Sequence, residues 1–424
     1  MRTLVIVLLL TLGSVLARAL WRHRLNPIFI GLVVWAPALV LSTLPHEFLS
    51  PLYDHLNKEV GRQAVMSMVV AFVFFSVGVL CVTAVVGTKP WDKVLHRHSV
   101  QVDDRKLLAL FGIGLLVFLY SFQQSGLVDL VALDPEEVAS SRLRLHLGPV
   151  SFAIFFLDVA SLVFLAKMME TRRFVYLLPI AISIVCHMST LQKSRVLFLV
   201  IGVVFMFLLH PAATRDIAFG TPKRRVITCS VALLCLLSLF AMNALRGIGV
   251  ISLTTFESPW LEQFYIYSGA TAVLNLSAAI QGHVPSDPPT LGMVLARPIS
   301  WHLANRDLLN PTKYFEGINA ATYLIYPWGD FRWFGFVITP FLTGSLITIY
   351  LWLSLKKTVV GIVLGAIGFE AIVFSVNTDV IFDPTTAILI LIAMLVQGLV
   401  TRRRPMQALP PKPANPSQAA GDHA

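Results

Sequence analysis

The side chains able to do chemistry in this chain are mostly arginines and carboxylates placed at the edges of apolar runs. Arg142 and Arg144 precede one run, Arg195 opens another, and Arg246 closes a third. Arg297 and Arg306 lie in the long mixed stretch that follows. A guanidinium grips phosphate oxygens through two parallel hydrogen bonds and keeps its charge in a low-dielectric setting. It also stabilises the charge that grows on a departing pyrophosphate. A boundary arginine can equally snorkel to lipid headgroups, so the pairing of Arg195 with Arg246 at one depth is the more telling feature. Asp158 and Glu370 fall in the middle of apolar runs, where an ionisable group is expensive and marks either a buried partner or a functional site. Asp379 and Asp383 flank the short turn after the run holding Glu370. His187 reads as a packed or hydrogen-bonded helix residue. A transfer reaction in which a hydroxyl attacks needs a base near the reacting atoms. His302, Glu316 and Asp330 are the candidates, with Glu257 and Glu262 behind them, and the sequence does not choose among them. There is no P-loop, glycine-rich dinucleotide turn or His/Cys zinc spacing, so neither a metal nor a cofactor is expected. Cys81, Cys186, Cys229 and Cys235 all sit inside apolar runs and read as buried thiols.

These residues must be carried by membrane helices. Of the 424 residues, 56% are hydrophobic and only 13% charged, about half the roughly 25% of an ordinary soluble domain. That excludes a soluble enzyme, a nucleic-acid-binding module and a disordered scaffold. The net charge of +10 reflects loops held at the cytoplasmic face, with no nucleic-acid partner. Eleven apolar segments are expected to span the bilayer: Val5–Leu20, Ile28–Leu44, Ala64–Val86, Leu107–Phe122, Val150–Ala166, Phe174–Leu191, Val196–Leu209, Val226–Leu245, Phe331–Leu353, Val359–Ser375 and Pro384–Val400. Ala17, Arg18 and Ala19 mimic a cleavage site, but Arg18, Arg22 and Arg24 follow the first segment while Arg2 alone precedes it. That asymmetry favours an uncleaved helix with its N-terminus outside. Lys and Arg concentrate in the loops on the side of the first connection and in the tail with Arg402, Arg403 and Arg404. The C-terminus is therefore expected in the cytoplasm and the N-terminus outside.

The organisation follows from these spans. Residues 1–246 carry transmembrane helices one to eight, 247–330 a large external loop with short helices, 331–400 helices nine to eleven, and 401–424 a basic tail read as disordered. Within the loop, Pro259–Ile280 is expected as an external helix lying on or dipping into the surface, because Glu262, Gln263 and Asn275 interrupt its apolar run. The aromatic content of the loop (Trp260, Tyr265, Trp301, Tyr323 and Trp328 among others) implies that it folds. The cytoplasmic connections are too short for a catalytic domain, so any enzymatic activity sits on the outer face. No nucleotide sugar is available there, and the substrate must arrive already activated. A lipid-linked pyrophosphate is the obvious form.

A resemblance gives this chemistry a family. The stretch Asn319, Thr322, Tyr323, then Tyr326, Asp330, Phe331 and Gly335, then Gly344 in the next span, resembles the most recognisable segment of the Wzy-type O-antigen polymerases. Ser194–Arg195 opening a helix and the Arg142–Gly148 loop are similar to two further features of that family. The chain departs from the pattern at Ala321, where the family has an aromatic residue, and at Arg332, where it has glycine. The resemblance implies an all-α polytopic membrane glycosyltransferase of the GT-C type in the bacterial inner membrane. It would join undecaprenyl-pyrophosphate-linked oligosaccharide repeat units into surface polysaccharide, with a chain-length regulator as a possible protein partner. In that reading Arg195 and Arg246 hold the donor pyrophosphate. Arg142 or Arg144, together with Arg297, guides the second substrate. Asn319, Thr322 and Tyr326 meet sugar hydroxyls.

Two other functions are compatible with the same residues. An O-antigen ligase would move the finished glycan to a lipid A-core acceptor. A transporter or flippase of lipid-linked saccharides would line its pathway with Asp158 and Glu370, although no internal repeat is visible. The orientation is checked by reporter fusions. Alkaline phosphatase inserted after Gly282 is expected to be active and a fluorescent protein at the C-terminus to glow; the opposite pair of results would invert the topology.

Overall fold

The computed structural model describes residues 26–42, 62–87, 100–125, 152–189, 193–209, 270–281, 323–376 and 379–401, with the single positions 13, 15 and 296. Among these residues the regular structure is helical, apart from one isolated bridge between Val102 and Thr401. The helices are α1 (Pro27–Ser42), α2 (Arg62–Val86), α3 (Asp104–Gln124), α4 (Phe155–Thr171), α5 (Leu177–Ser189), α6 (Lys193–Leu209), α7 (Ala270–Ile280), α8 (Ile325–Phe331), α9 (Gly335–Ser354), α10 (Val359–Phe374) and α11 (Pro384–Val400). Four stretches are long and apolar enough to cross a bilayer: Gln63–Val86, Asp104–Gln124, Phe152–Thr171 and Ile325–Ser354. The protein is accordingly membrane-embedded and all-α in its described part. Each expected span from the second to the seventh and the ninth to the eleventh overlaps a helix. The first and eighth lie outside the described residues, except for positions 13 and 15.

Small residues set how closely the helices approach. A Cβ on Gly344 of α9 would overlap the carbonyl oxygen of Phe75 on α2, and one on Gly78 of α2 would overlap that of Phe341 on α9. The reciprocal glycines let the two backbones touch, which is how membrane helices gain packing when lipid offers no hydrophobic drive. Ser345 Oγ donates within α9 to Phe341 O at 2.9 Å and also reaches Gly78 O of α2 across the crossing at 3.4 Å. Between α4 and α5, Ser161 and Ser183 share a hydroxyl hydrogen bond of 2.8 Å.

The ends are closed by polar ties. At one end Glu170 accepts from Val100 N at 3.0 Å and from Lys357 Nζ at 3.2 Å. Asp104 pairs with Lys167 and accepts from Tyr176 Oη at 2.8 Å. At the other end Trp35 Nε1 donates to Ser375 Oγ at 2.7 Å, and Tyr323 N donates to Ser375 O at 3.1 Å. Burial pushes the Tyr323 phenol well above its usual range, and the Asp379 carboxylate nearby adds to that. It therefore stays neutral.

One boundary differs from the sequence reading. The apolar helical run expected from Phe331 begins at Ile325, because α8 precedes α9 with only the 3-10 turn Arg332–Phe334 between them. At that break Arg332 adopts φ 52°, ψ −128°, a backbone conformation that glycine tolerates and other residues rarely adopt. It is also the position where the resembled pattern has glycine. Next to it, a Cβ on Gly335 would overlap the Pro327 carbonyl. The described part of the helix expected to lie on or dip into the surface is packed within the protein. In α7, Ala272, Val273 and Leu276 are buried, and the helix packs against α1 and α2.

Gly344→Val is expected to force α2 and α9 apart, costing about 1–3 kcal/mol as overpacking does. A thermal shift assay in detergent would read this as a lower melting temperature; an unchanged value would mean that the crossing is not tight.

Candidate functional site

Three helices bring charge to one end of the bundle. Asp158 lies in the first turn of α4, His187 in the last turn of α5, and Arg195 in the first turn of α6. Asp158 is therefore near a helix end, not mid-span as the sequence suggested; the extra length of the apolar run continues to Thr171 at the far end. Its carboxylate is divided between two partners. Oδ1 lies 2.7 Å from His187 Nε2, and Oδ2 accepts from Arg195 Nη1 at 2.9 Å. An ionised carboxylate only accepts, so the proton on that imidazole face sits on Nε2. Asp158 is 1% exposed and His187 fully buried, while the Arg195 side chain keeps 18% of its surface open.

Packing fixes the guanidinium further. Arg195 Cζ stands 3.6 Å from the centroid of the Phe155 ring, and Phe118 meets the His187 ring edge-on at 6.3 Å. A guanidinium stacked on an aromatic face keeps its edge N–H groups free to point elsewhere. The helix ends matter as well. A cation in the first turn of α6 opposes the helix dipole, and Asp158 in the first turn of α4 favours its own. The ion pair removes that conflict and leaves two adjacent helix N-termini beside one cation, an arrangement that attracts an anion.

Glu370 belongs to the same neighbourhood. It is partly buried near the C-terminal end of α10, and the charges that act on it are those of Arg195, Asp383 and Asp158. Asp383 caps α11 by accepting from Thr385 N at 2.7 Å. Asp379 is buried and accepts from Phe382 N at 3.2 Å, holding the turn between α10 and α11.

The other expected site residues fall into two groups. Asp330 is fully buried in the last turn of α8, and Tyr326 is partly buried in its first turn. Asp330 is thus enclosed at the end of α8, next to the turn into α9. Arg142, Arg144, Arg246, Arg297, His302, Glu316, Asn319 and Thr322 lie outside the described residues. The demonstrated partner of Arg195 is thus Asp158, and its expected pairing with Arg246 lies outside what is described. The sequence reading named Asp158, His187 and Arg195 separately and missed Phe155. The signal for joining them is the position of all three close to helix ends that alternate in direction. The described residues hold no group of three or more His, Cys, Asp and Glu side chains arranged to take a metal ion.

The chain matches no family model, no curated protein and no solved structure. What the site can do therefore follows from its own geometry: a positioned, partly open cation at the end of a helical bundle, backed by a buried acid–imidazole pair.

Removing the shared carboxylate strands two buried groups. Asp158→Ala is expected to cost about 3–5 kcal/mol. Adding Arg195→Ala is expected to recover part of that loss, as a double-mutant cycle on unfolding would show. Strictly additive losses would mean that the pair is not coupled.

Proposed function

We propose that the protein is a membrane glycosyltransferase that polymerises undecaprenyl-pyrophosphate-linked oligosaccharide repeat units into surface polysaccharide. The observation that carries this reading is the Arg195 guanidinium, pinned by Asp158, stacked on Phe155 and still partly open. The basic loops orient the chain so that this end faces the periplasm. A pyrophosphate anchored in the outer leaflet sits at that depth. Arg195 binds its oxygens and stabilises the charge released as the sugar–phosphate bond breaks. The resemblance of Asn319–Gly344 and of Ser194–Arg195 to Wzy-type polymerases points to the same substrate. The full reading has eleven spans, a GT-C-like arrangement in the bacterial inner membrane, Arg246 beside Arg195, and a loop that receives the second lipid-linked unit. The energy of transfer comes from the pyrophosphate linkage, so the reaction needs no nucleotide, metal or cofactor. An O-antigen ligase would use the same donor site and differ in its acceptor.

A transporter of lipid-linked saccharides is favoured by one specific observation. The Asp158–His187 pair is buried within the spans, where ion-coupled carriers keep their relays.

Purified protein given a synthetic undecaprenyl-pyrophosphate repeat unit is expected to produce a ladder of glycan lengths. Arg195→Ala, in protein that remains folded, is expected to lower the rate about a hundredfold or more, as loss of one preorganised donor to a developing anion does. Transfer to lipid A-core without a ladder would move the reading to ligase. Translocation without transfer would move it to transporter.

A further inference from the structure

Helix phase places Glu370 in the Arg195 site. Gly202 of α6 is the point where three helices meet. A Cβ there would overlap the Leu162 side chain of α4 and lie 3.9 Å from Ala366 Cβ of α10. Side chains four apart share a helix face. Asp158 lies one turn from Leu162, Glu370 one turn from Ala366, and Arg195 two turns from Gly202 on the same face. Every one of these steps runs toward the same end of the bundle, since α4 and α6 begin there and α10 ends there. At 1.5 Å per residue, Asp158 and Glu370 stand about 6 Å above the three-helix contact and the Arg195 backbone about 10 Å above it. Glu370 thus lies below the arginine, on the seam between α4, α6 and α10.

Its chemistry differs from that of Asp158. Among the described residues Glu370 takes part in no hydrogen bond or ion pair. It keeps part of its surface open, whereas Asp158 is enclosed and doubly bonded. A carboxyl group in an apolar span that secures no partner adds nothing to packing that an apolar side chain would not supply, and its placement is expensive. A group of this kind is suited to accept and release a proton. The charged groups facing it are Arg195 on α6, Asp158 on α4 with His187 of α5 behind it, and Asp383 at the start of α11.

We propose that Glu370 is the catalytic base of the site, taking the proton from the attacking sugar hydroxyl. The proposal rests on the reading of Arg195 as the pyrophosphate group. In the step, the acceptor oxygen forms a bond to the anomeric carbon as the bond from that carbon to the pyrophosphate oxygen breaks. The electron pair of the broken bond leaves with the phosphate against Arg195. The hydroxyl proton moves to the Glu370 carboxylate and is later lost to water. This assigns the base to an intramembrane residue in place of His302, Glu316 and Asp330.

The test is rate against pH for the full-length protein in nanodiscs, for wild type, Glu370→Gln and Glu370→Asp, beside binding of undecaprenyl pyrophosphate to each. The expected result is a wild-type rate that rises with pH through one ionisation. Glu370→Gln should be slower by about 10²–10⁴-fold, the usual share of a general base, and lack that ionisation. Its binding should stay within about threefold of wild type, and Glu370→Asp should recover part of the rate. A Glu370→Gln rate within threefold of wild type would overturn the proposal and leave the polymerase reading standing. Loss of binding in parallel with rate would also overturn it, making Glu370 a structural residue. If Glu370→Gln fails to fold, Glu370→Asp carries the test: an unchanged pH profile overturns the proposal. A wild-type protein with neither polymerase nor ligase activity would remove the reading on which the proposal rests.

Discussion

The described end of the bundle depends on one carboxylate. Asp158 binds His187 through one oxygen and Arg195 through the other, and so ties α4, α5 and α6 together where they converge. Each partner is costly alone. An imidazole with no access to water needs its polar atoms met, and a cation at a helix N-terminus works against the dipole. Asp158 meets Nε2 of the imidazole and the charge of the guanidinium at once. The result is a guanidinium whose position is fixed from behind by the carboxylate and from one face by the Phe155 ring, with its remaining edge open.

The rest of the fold keeps that end rigid. Gly202 lets α6 close against α4 and α10, and the Ser161–Ser183 bond holds α4 to α5 one turn below Asp158. The Gly78–Gly344 crossing joins α2 to α9 on the other side of the bundle. At the opposite end Glu170 and Asp104 fasten the loop segments through Lys357, Lys167 and Tyr176, so the helices are pinned at both ends. The role proposed for Arg195 depends on such a frame, because a preorganised charge needs no rearrangement when a leaving group departs.

Much of the scaffold was legible in the sequence, and the reasons are physical. Apolar runs such as Pro384–Val400 and Val359–Phe374 have polar residues or turns at both ends, so hydropathy alone delimits them. The same rule misplaced Asp158 within its helix, because hydropathy does not separate a helix from the 3-10 turn that leads into it. Hydropathy also does not show how far α7 is enclosed: Asn275 reads as polar, yet it is buried, as are Leu274 and Leu276 beside it. The site was legible as components and not as a cluster. Asp158, His187 and Arg195 each stand out by type and lie near helix ends that alternate in direction, but which of their side chains touch is decided by helix phase and packing. Arg332 shows the reverse case. A residue type that looks wrong for a tight turn occupies the turn anyway, with its guanidinium 5.4 Å from the Trp328 ring.

The central claim is that the anchored Arg195 receives a lipid pyrophosphate. Binding of undecaprenyl pyrophosphate to the purified protein, measured by native mass spectrometry with undecaprenol as the uncharged control, tests it most directly. The account predicts binding of the pyrophosphate over the alcohol in wild type and loss of that preference in Arg195→Ala. Equal binding of the two lipids by wild type, or an undiminished preference in the variant, would contradict it.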